Sequence, residues 1–585
     1  MTTRRAIALR SSHRLALIAA AELLLLLKSP ISISANDSRP QGSVTFTKDI
    51  APIIFANCAS CHRPGQSGPF DFMTYSQVKK HAKDIATVTQ SGYMPPWPPE
   101  PGFGEFVGQR RLTADQIGLI RQWVAEGAIE GNPTDLPELP KWTEGWQLGQ
   151  PDLVVQMPEA YTLPSTGKDV YRNFVIPIPT TGRRYVQAVE FRPSNKSVHH
   201  VFMLYDRTRQ SRRIDAEDAE PGFPGMSPPP SAAPPPGQYV TWQPGKVVLP
   251  GIDHSIWSLE PNTDLVLQMH LQPTGKPEQI QASVGFYFTD KPPSGVLSKV
   301  SFSVYALDIP AASTNYAASD SYVLPVDVEV LGVLPHAHYL GKEVQGFATL
   351  PDGTKRWILL IKNWDFNWQG DYQLQKPIAV PKGSRLTMSW RFDNSTNNIR
   401  NPHNPPVRVQ YGVDTTNEMA ELSFKVRLRN TNDLAVLEAD LFPKTIKDII
   451  QFNTWRLQQN PNDAKGHANL GKALMTMNGR QEEAFKHFRK AIELQPGLDE
   501  PHYCLGLMFR NQNQLAAARK EFETTLRLNP ENSAAHGNLG FILAELGELD
   551  SSEKELRAAL QLDPQDNQVR AGLAELLQAR AKLGK

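Results

Sequence analysis

Cysteine is nearly absent from this chain, with three in 585 residues. Three thiols cannot build the disulfide framework that stands in for a core in small secreted domains. Net charge is nearly absent too. The 61 lysines and arginines meet 60 aspartates and glutamates, which leaves no basic footprint for nucleic acid. Beyond the N-terminal segment no apolar run approaches the roughly 20 residues a membrane helix needs. These shortages exclude a nucleic-acid binder, a disulfide-stapled domain and a membrane-spanning bundle. At about 150 residues per domain, the length predicts roughly four domains. The 49 prolines and 39 glycines predict β-rich parts with many turns.

The N-terminus has the pattern of an export signal over residues 1–35. Arg4, Arg5, Arg10 and Arg14 form a basic region, and Leu15 to Leu27 is apolar apart from Glu22. Lys28 ends the run, and the small residues Ser32, Ser34 and Ala35 follow, so cleavage is expected near Ala35. An uncleaved anchor is the alternative. Either way the protein is expected to be exported, periplasmic or extracytoplasmic, with no stable membrane span once the signal is removed.

Two of the three cysteines lie in Cys58-Ala-Ser-Cys61-His62. That is the attachment pattern for c-type haem: each thiol forms a thioether, and the histidine ligates the iron. A zinc site would want two more soft ligands nearby, and Cys504 is far away in a helical repeat. Asp49 to Ala56 is a short amphipathic stretch running into the motif. Thr113 to Ala128 starts on a capping threonine and carries Ile117, Ile120, Trp123 and Val124 at helical spacing. A first helix carrying the motif and a last helix packing across it resemble the cytochrome c fold, here over residues 44–140. Met94, in Gly92-Tyr-Met-Pro-Pro-Trp97, is the expected sixth ligand, because a thioether in a proline-stiffened loop raises the potential. Met73 competes, and His81 is a third possibility.

Residues 150–430 change character. Asp264–His270, Val328–Val333 and Arg385–Phe392 alternate like strands, and Pro273-Thr-Gly, Pro351-Asp-Gly and Pro381-Lys-Gly punctuate them. The fold class expected is multidomain: a helical haem domain, two antiparallel β-sandwiches over 150–300 and 301–430, and a helical repeat array. A proline-rich insertion over 206–237 is expected to be a mobile loop. Residues 431–460 form a helical linker. In residues 461–585 prolines recur at 461, 496, 530 and 564, and Leu-Gly pairs at 470, 505 and 539. That is the tetratricopeptide period. Three repeats and a polar last helix, Gln565 to Leu583, make a capped solenoid. Such arrays usually expose a binding face, which predicts a protein partner; a mere stability cap is the alternative.

The β region also holds His199-His200, His270 and His336-Ala-His338, with Met419 further on. In a strand residues i and i+2 face one way, so His336 and His338 can grip one metal. His199 and His200 would face opposite ways, and sharing an ion requires the chain to bend there. Imidazoles suit copper, and a thioether beside two of them favours Cu(I). His81, His254 and His403 have the look of ordinary polar residues.

Leu267-Gln-Met-His270, His336-Ala-His-Tyr-Leu-Gly341 and Thr415-Thr-Asn-Glu-Met419, after a His-His pair, resemble in order and spacing the copper type II, ascorbate-dependent monooxygenases. These include the peptidylglycine α-hydroxylating and dopamine β-monooxygenases. The resemblance spans about residues 150–430. It implies two sandwiches holding two copper ions across an open cleft: His199, His200 and His270 at an electron-storing site, and His336, His338 and Met419 at the catalytic, oxygen-activating site. Two departures matter. The substrate-holding arginine two residues before the first His of the pair is Leu334 here, and the tyrosine four residues after the methionine is Ser423.

The expected function is therefore copper-dependent hydroxylation of a C–H bond with O₂. The substrate is a small molecule or peptide that the sequence does not specify. Electrons would come through the covalent haem, an ascorbate-like reductant, or both. The alternative is a non-hydroxylating haem and copper electron-transfer or sensory protein, docked to a complex through its repeats.

Overall fold

A computed structural model describes residues 39–64, 68–141, 145–226, 228–229, 231–244, 246, 248, 256–563 and 566–582. The expected export signal, His254 and Pro564 lie outside the described residues. The chain divides into two compact bodies. One comprises Met1–Trp97, Gly108–Gln150 and Gln243–Val248; the other comprises Pro98–Val107, Pro151–Trp242 and Leu249–Lys585.

The described part of the first body is helical. A tight turn, Phe46–Ile50, leads into α1 (Ala51–Asn57), followed by α2 (Tyr75–Lys80), α3 (Ala82–Gln90) and α4 (Ala114–Ala125). Helix α4 starts where the sequence pattern places it, on a capping box. The Thr113 side chain accepts from the Gln116 N–H, and the Gln116 side chain accepts from the Thr113 N–H. Ile120 and Trp123 of α4 share one apolar cluster with Phe46, Ile50 and Ile54, so the first and last helices bury a common face.

The second body begins with two layers of antiparallel sheet. Its strands are β1 (Leu153–Gln156), β2 (Val170–Pro177), β3 (Arg184–Arg192), β4 (Val198–Asp206), β5 (Asp264–Leu271) and β6 (Ser283–Thr289). One sheet runs β1-β6-β3 and ends on Trp257–Leu259. The other runs β2-β5-β4 between the short strands Phe223–Pro224 and Thr241–Trp242. Val186, Phe191 and Phe286 from the first sheet meet Phe174, Met203, Leu267 and Met269 from the second in one core, as expected of a sandwich.

A second pair of sheets follows: β7 (Val296–Ser303), β8 (Tyr316–Val323), β9 (Val328–His336), β10 (Gly341–Thr349), β11 (Lys355–Ile361), β12 (Tyr372–Val380), β13 (Arg385–Phe392) and β14 (Glu421–Leu428). The sheet orders are β7-β14-β9-β12 and β8-β13-β10-β11. The two layers touch closely at Gly346 of β10, where an added Cβ would lie 2.9 Å from Leu422 Cδ2 of β14. An alanine there would need the Leu422 side chain to shift.

Two expectations about boundaries need correcting. Residues 98–107, inside the span expected for the haem domain, belong with the second sandwich. The Glu100 N–H donates to Leu360 O and the Val107 N–H to Gln373 O, both at 2.8 Å, which covers edge backbone of β11 and β12. The insertion 206–237 is not the mobile loop its composition suggests. It contains α5 (Gln210–Glu217). The Arg172 guanidinium donates to Pro221 O (2.7 Å), Glu220 O and Gly222 O (both 2.9 Å) and the Asp218 carboxylate (2.7 Å). A buried cation needs that many acceptors, and the insertion supplies them.

The expected helical linker is α6 (Thr431–Gln459). Tyr322 OH donates to Asp440 (2.6 Å) and Lys444 to Asp320 (2.7 Å), which ties α6 to β8. Helices α7 (Ala464–Met475), α8 (Gln481–Leu494), α9 (Asp499–Asn511), α10 (Leu515–Leu528), α11 (Ser533–Glu545) and α12 (Leu549–Leu562) form three pairs, and α13 (Asn567–Lys582) ends the array. The recurring glycines are the closest points within each pair. A Cβ on Gly471 or Gly506 would lie 2.8 Å from Phe488 or Phe522, and both rings are fully buried. Gly506→Leu should therefore overpack its pair and cost about 1–3 kcal/mol. This would appear as a lowered helical transition in thermal denaturation followed by circular dichroism. Gly497→Ala, with open space around it, should stay within about 0.5 kcal/mol of the parent.

Candidate metal centre

Strands β4 and β5 pair with His200 opposite His270, but the register slips between Val198 and His200. That one-residue bulge is the bend the sequence demanded. An extra residue breaks the alternation of faces, and His199 and His200 come to the same side. The ring centroids are 5.5 Å apart for His199–His200, 5.0 Å for His199–His270 and 4.8 Å for His200–His270. One ring nitrogen from each lies within 4.8 Å of the others. His200 Nδ1 and His270 Nδ1 are 3.3 Å apart, close to the roughly 3 Å spacing of two nitrogens on one ion at ~2.0–2.1 Å.

Their environment suits a cation that must displace no proton. Burial, then the neighbouring imidazole His270, pulls His199 down to about 4. Burial and the nearby His270, His199, His336 and His338 hold His200 well below the ordinary histidine value. His270 is also lowered by burial, partly offset by Asp169. Its Nε2–H donates to the Asp169 carboxylate at 2.6 Å, leaving Nδ1 to face the other two rings. Tyr171 stacks on it at 4.4 Å. A carboxylate behind a histidine is the usual outer partner of a metal-binding imidazole.

The second set lies where β9 ends. His336 pairs with Glu421 of β14, and His338 follows just beyond the strand. The two rings are 5.3 Å apart and nearly perpendicular. The Nδ1 atoms are both committed, His336 Nδ1 to Gln369 Oε1 and His338 Nδ1 to Asn417 O (3.1 Å), which fixes Nε2 as the free nitrogen of each. Burial, then His336, lowers His338 to about 3. Met419 is buried two residues before β14. The buried Glu418 side chain accepts from the backbone N–H of Met419 and of Leu340, each at 2.8 Å, and from that of His338. Burial raises this carboxyl to about 8 against the pull of those N–H groups.

One aromatic ring lies near a histidine of each set. The ring of Phe366 lies 5.7 Å from that of His199, 5.5 Å from that of His338 and 4.8 Å from that of Tyr339. Phe366 opens a 3₁₀ turn capped by Asp365, and Arg400 donates to that carboxylate at 3.0 Å. So one histidine of each set, His199 and His338, adjoins the same aromatic ring. Leu334 and Ser423, the two positions that depart from the peptide-hydroxylating pattern, are cross-strand partners. Tyr239 brings a phenol to the same place, donating to Ser423 Oγ at 2.7 Å.

In the other body, Cys58 caps α1, and both Cys58 and Cys61 are free thiols. Burial, then Cys61, pushes the Cys58 thiol up to about 12. The His62 Nδ1–H donates to Phe70 O at 3.0 Å, leaving Nε2 available, as an axial ligand requires. These residues fit a covalent haem. Phe72 stacks on the His62 ring at 4.4 Å, and His81 stacks on Phe70 at 4.0 Å. Met73, like Cys58, packs against the apolar cluster of α1 and α4. Met94 is half-buried in the loop after α3, with its N–H donating to Val88 O at 3.1 Å.

Two histidines outside the sets are placed as follows. His403 Nε2–H donates to Thr416 O at 3.0 Å, and His81 is stacked as above. Asp169, Gln369, Phe366 and Tyr239 were not found by sequence. Each acts across a long sequence separation, and none belongs to a spaced motif.

Comparison with known proteins bears on the repeats. Residues 464–497 and 509–576 match tetratricopeptide repeat models, so the C-terminal helices are tetratricopeptide repeats, a module suited to protein–protein contact. No curated protein matches the chain. A solved structure described as MamA RS-1 ArsTM double mutant matches at 20% identity over 24% of this chain and 78% of that one, with a TM-score of 0.22. That likeness is too slight to carry an argument. Among the described residues no helix is long and apolar enough to cross a membrane.

The tie from Asp169 to His270 can be tested directly. Asp169→Asn should weaken copper binding at the three-histidine set by about 10–100-fold, measured by competition with a chelator of known affinity, with the second set unchanged.

Proposed function

We propose that this protein is an exported, copper-dependent monooxygenase that hydroxylates a C–H bond with O₂. Electrons enter through a c-type haem on Cys58 and Cys61, an ascorbate-like reductant, or both. One observation supports this best: a cluster of three imidazoles, His199, His200 and His270, with a pair, His336 and His338, near enough to act on His200. Two copper ions in these sets would supply single-electron delivery and O₂ activation. His199, His200 and His270 offer an all-imidazole donor set that burial keeps neutral. Met419 adds a soft donor to His336 and His338, which favours the reduced ion. Asp169, Gln369 and Asn417 hold the rings in the ligating tautomer.

Recognition of a peptide carboxylate does not carry over. Leu334 offers no charge, and Ser423 is engaged with Tyr239 and with Ser301 Oγ at 2.8 Å. The repeats supply a surface for a protein partner, which also suits the alternative of an electron-transfer or sensory protein. Copper stoichiometry and oxygen uptake separate the two. The enzyme reading expects two coppers per chain and reductant-dependent O₂ consumption. His270→Ala should lose one copper, and a double substitution of His336 and His338 should lose the other and all uptake. Fewer than two coppers at saturation favours the alternative.

The haem reading has its own check. Met94→Ala should abolish the weak near-infrared band of Met-ligated ferric haem and lower the potential. If Met73→Ala does so instead, Met73 is the ligand.

A further inference from the structure

Glu418 is fully buried, next in sequence to Met419, and has no cation within its hydrogen-bonding shell. Its partners are backbone N–H groups. Oε1 accepts from the N–H of His338 and the N–H of Met419, and Oε2 from the N–H of Leu340. His338 and Met419 are thus two residues of one proposed donor set, far apart in sequence, hanging on a single oxygen.

The backbone around Glu418 explains why a side chain is needed. Strands β9 and β14 stay in register only to the pair His336–Glu421. Past that point Ala337, His338 and Tyr339 leave the ladder, and so do Met419 and Ala420. The two ligand-bearing segments therefore lose the strand-to-strand bonds that would fix their separation. Their freed N–H groups are buried and must find acceptors. A carboxyl side chain brings two oxygens that can accept from several N–H groups at once. On the far side of the loop, Trp364 Nε1–H donates to His338 O at 3.1 Å. His338 is then held by its backbone N–H, its backbone carbonyl and its ring Nδ1, while its Nε2 stays free.

We infer that Glu418 is the positioning residue of the His336, His338 and Met419 set: its carboxyl oxygens replace the missing ladder and set the distance between the imidazoles and the thioether. This rests on the copper reading above and adds a role for a residue that is itself no ligand.

The test is Glu418→Gln in the full-length, copper-loaded protein. Glutamine keeps the shape but turns one acceptor into an NH₂ group that faces backbone N–H donors. Chelator competition should show copper binding weakened by about 10–100-fold at one site, the scale expected for an outer-shell partner, with the three-histidine site unchanged. The sulfur contribution to the Cu(I) X-ray absorption spectrum should fall in parallel. A role confined to folding would lower the melting temperature and weaken both sites alike, and that result overturns the inference. Unchanged affinity and unchanged sulfur scattering overturn it too. If the unmodified protein shows no Cu–S scattering, the copper reading itself fails and the inference falls with it; that outcome is visible before any substitution is made. Should the variant not fold, amide exchange in the unmodified protein decides. The N–H groups of His338, Leu340 and Met419 should exchange slowly and together, and fast exchange at any of them contradicts the clamp.

Discussion

Two histidines adjacent in sequence, such as His199 and His200, cannot share one side of a strand that keeps strict alternation. The bulge between Val198 and His200 relaxes that constraint at one residue, and the first histidine set follows from it. The second set uses the opposite device. There the ladder stops at the His336–Glu421 pair, and the residues past the end are held by side chains instead of strand bonds. In both places the chemistry-bearing residues lie where regular β-structure gives way. Regular sandwich around them supplies rigidity, and the irregular backbone supplies aim.

Burial does the second part of the work. An imidazole surrounded by protein and by other imidazoles stays neutral, because a charge there would be poorly solvated. His199, His200, His270 and His338 all follow that rule. A neutral ring still has two nitrogens, and only one should face a metal. Asp169, Gln369 and Asn417 settle the choice by occupying the other nitrogen on His270, His336 and His338. Phe366 lies near one histidine of each set, 5.7 Å from the His199 ring and 5.5 Å from the His338 ring.

Local signals in the sequence were reliable. The strand Arg385–Phe392 and the Thr113 cap occur as the pattern implies. The repeat period identified the helical array, and the need for a bend at His199-His200 followed from strand alternation alone. Long-range partners were not legible. Asp169 lies 101 residues from His270 and Gln369 lies 33 from His336, and an isolated Asp or Gln carries no spacing signal. Glu418 sat inside a quoted motif, yet its role depends on N–H groups about eighty residues away. The insertion 206–237 misled because proline content speaks for backbone stiffness and turns, whereas its order comes from the carbonyls it offers to Arg172. The stretch 98–107 misled because pairing with a distant sheet edge leaves no local trace.

The central claim is that two distinct copper positions flank Phe366, one in each histidine set. Anomalous diffraction at the copper edge, on crystals of the copper-loaded protein, tests it most directly. The account predicts two peaks, one within reach of His199, His200 and His270 and one within reach of His336, His338 and Met419, with the Phe366 ring between them. A single peak shared by all five histidines, or none at either set, would contradict it.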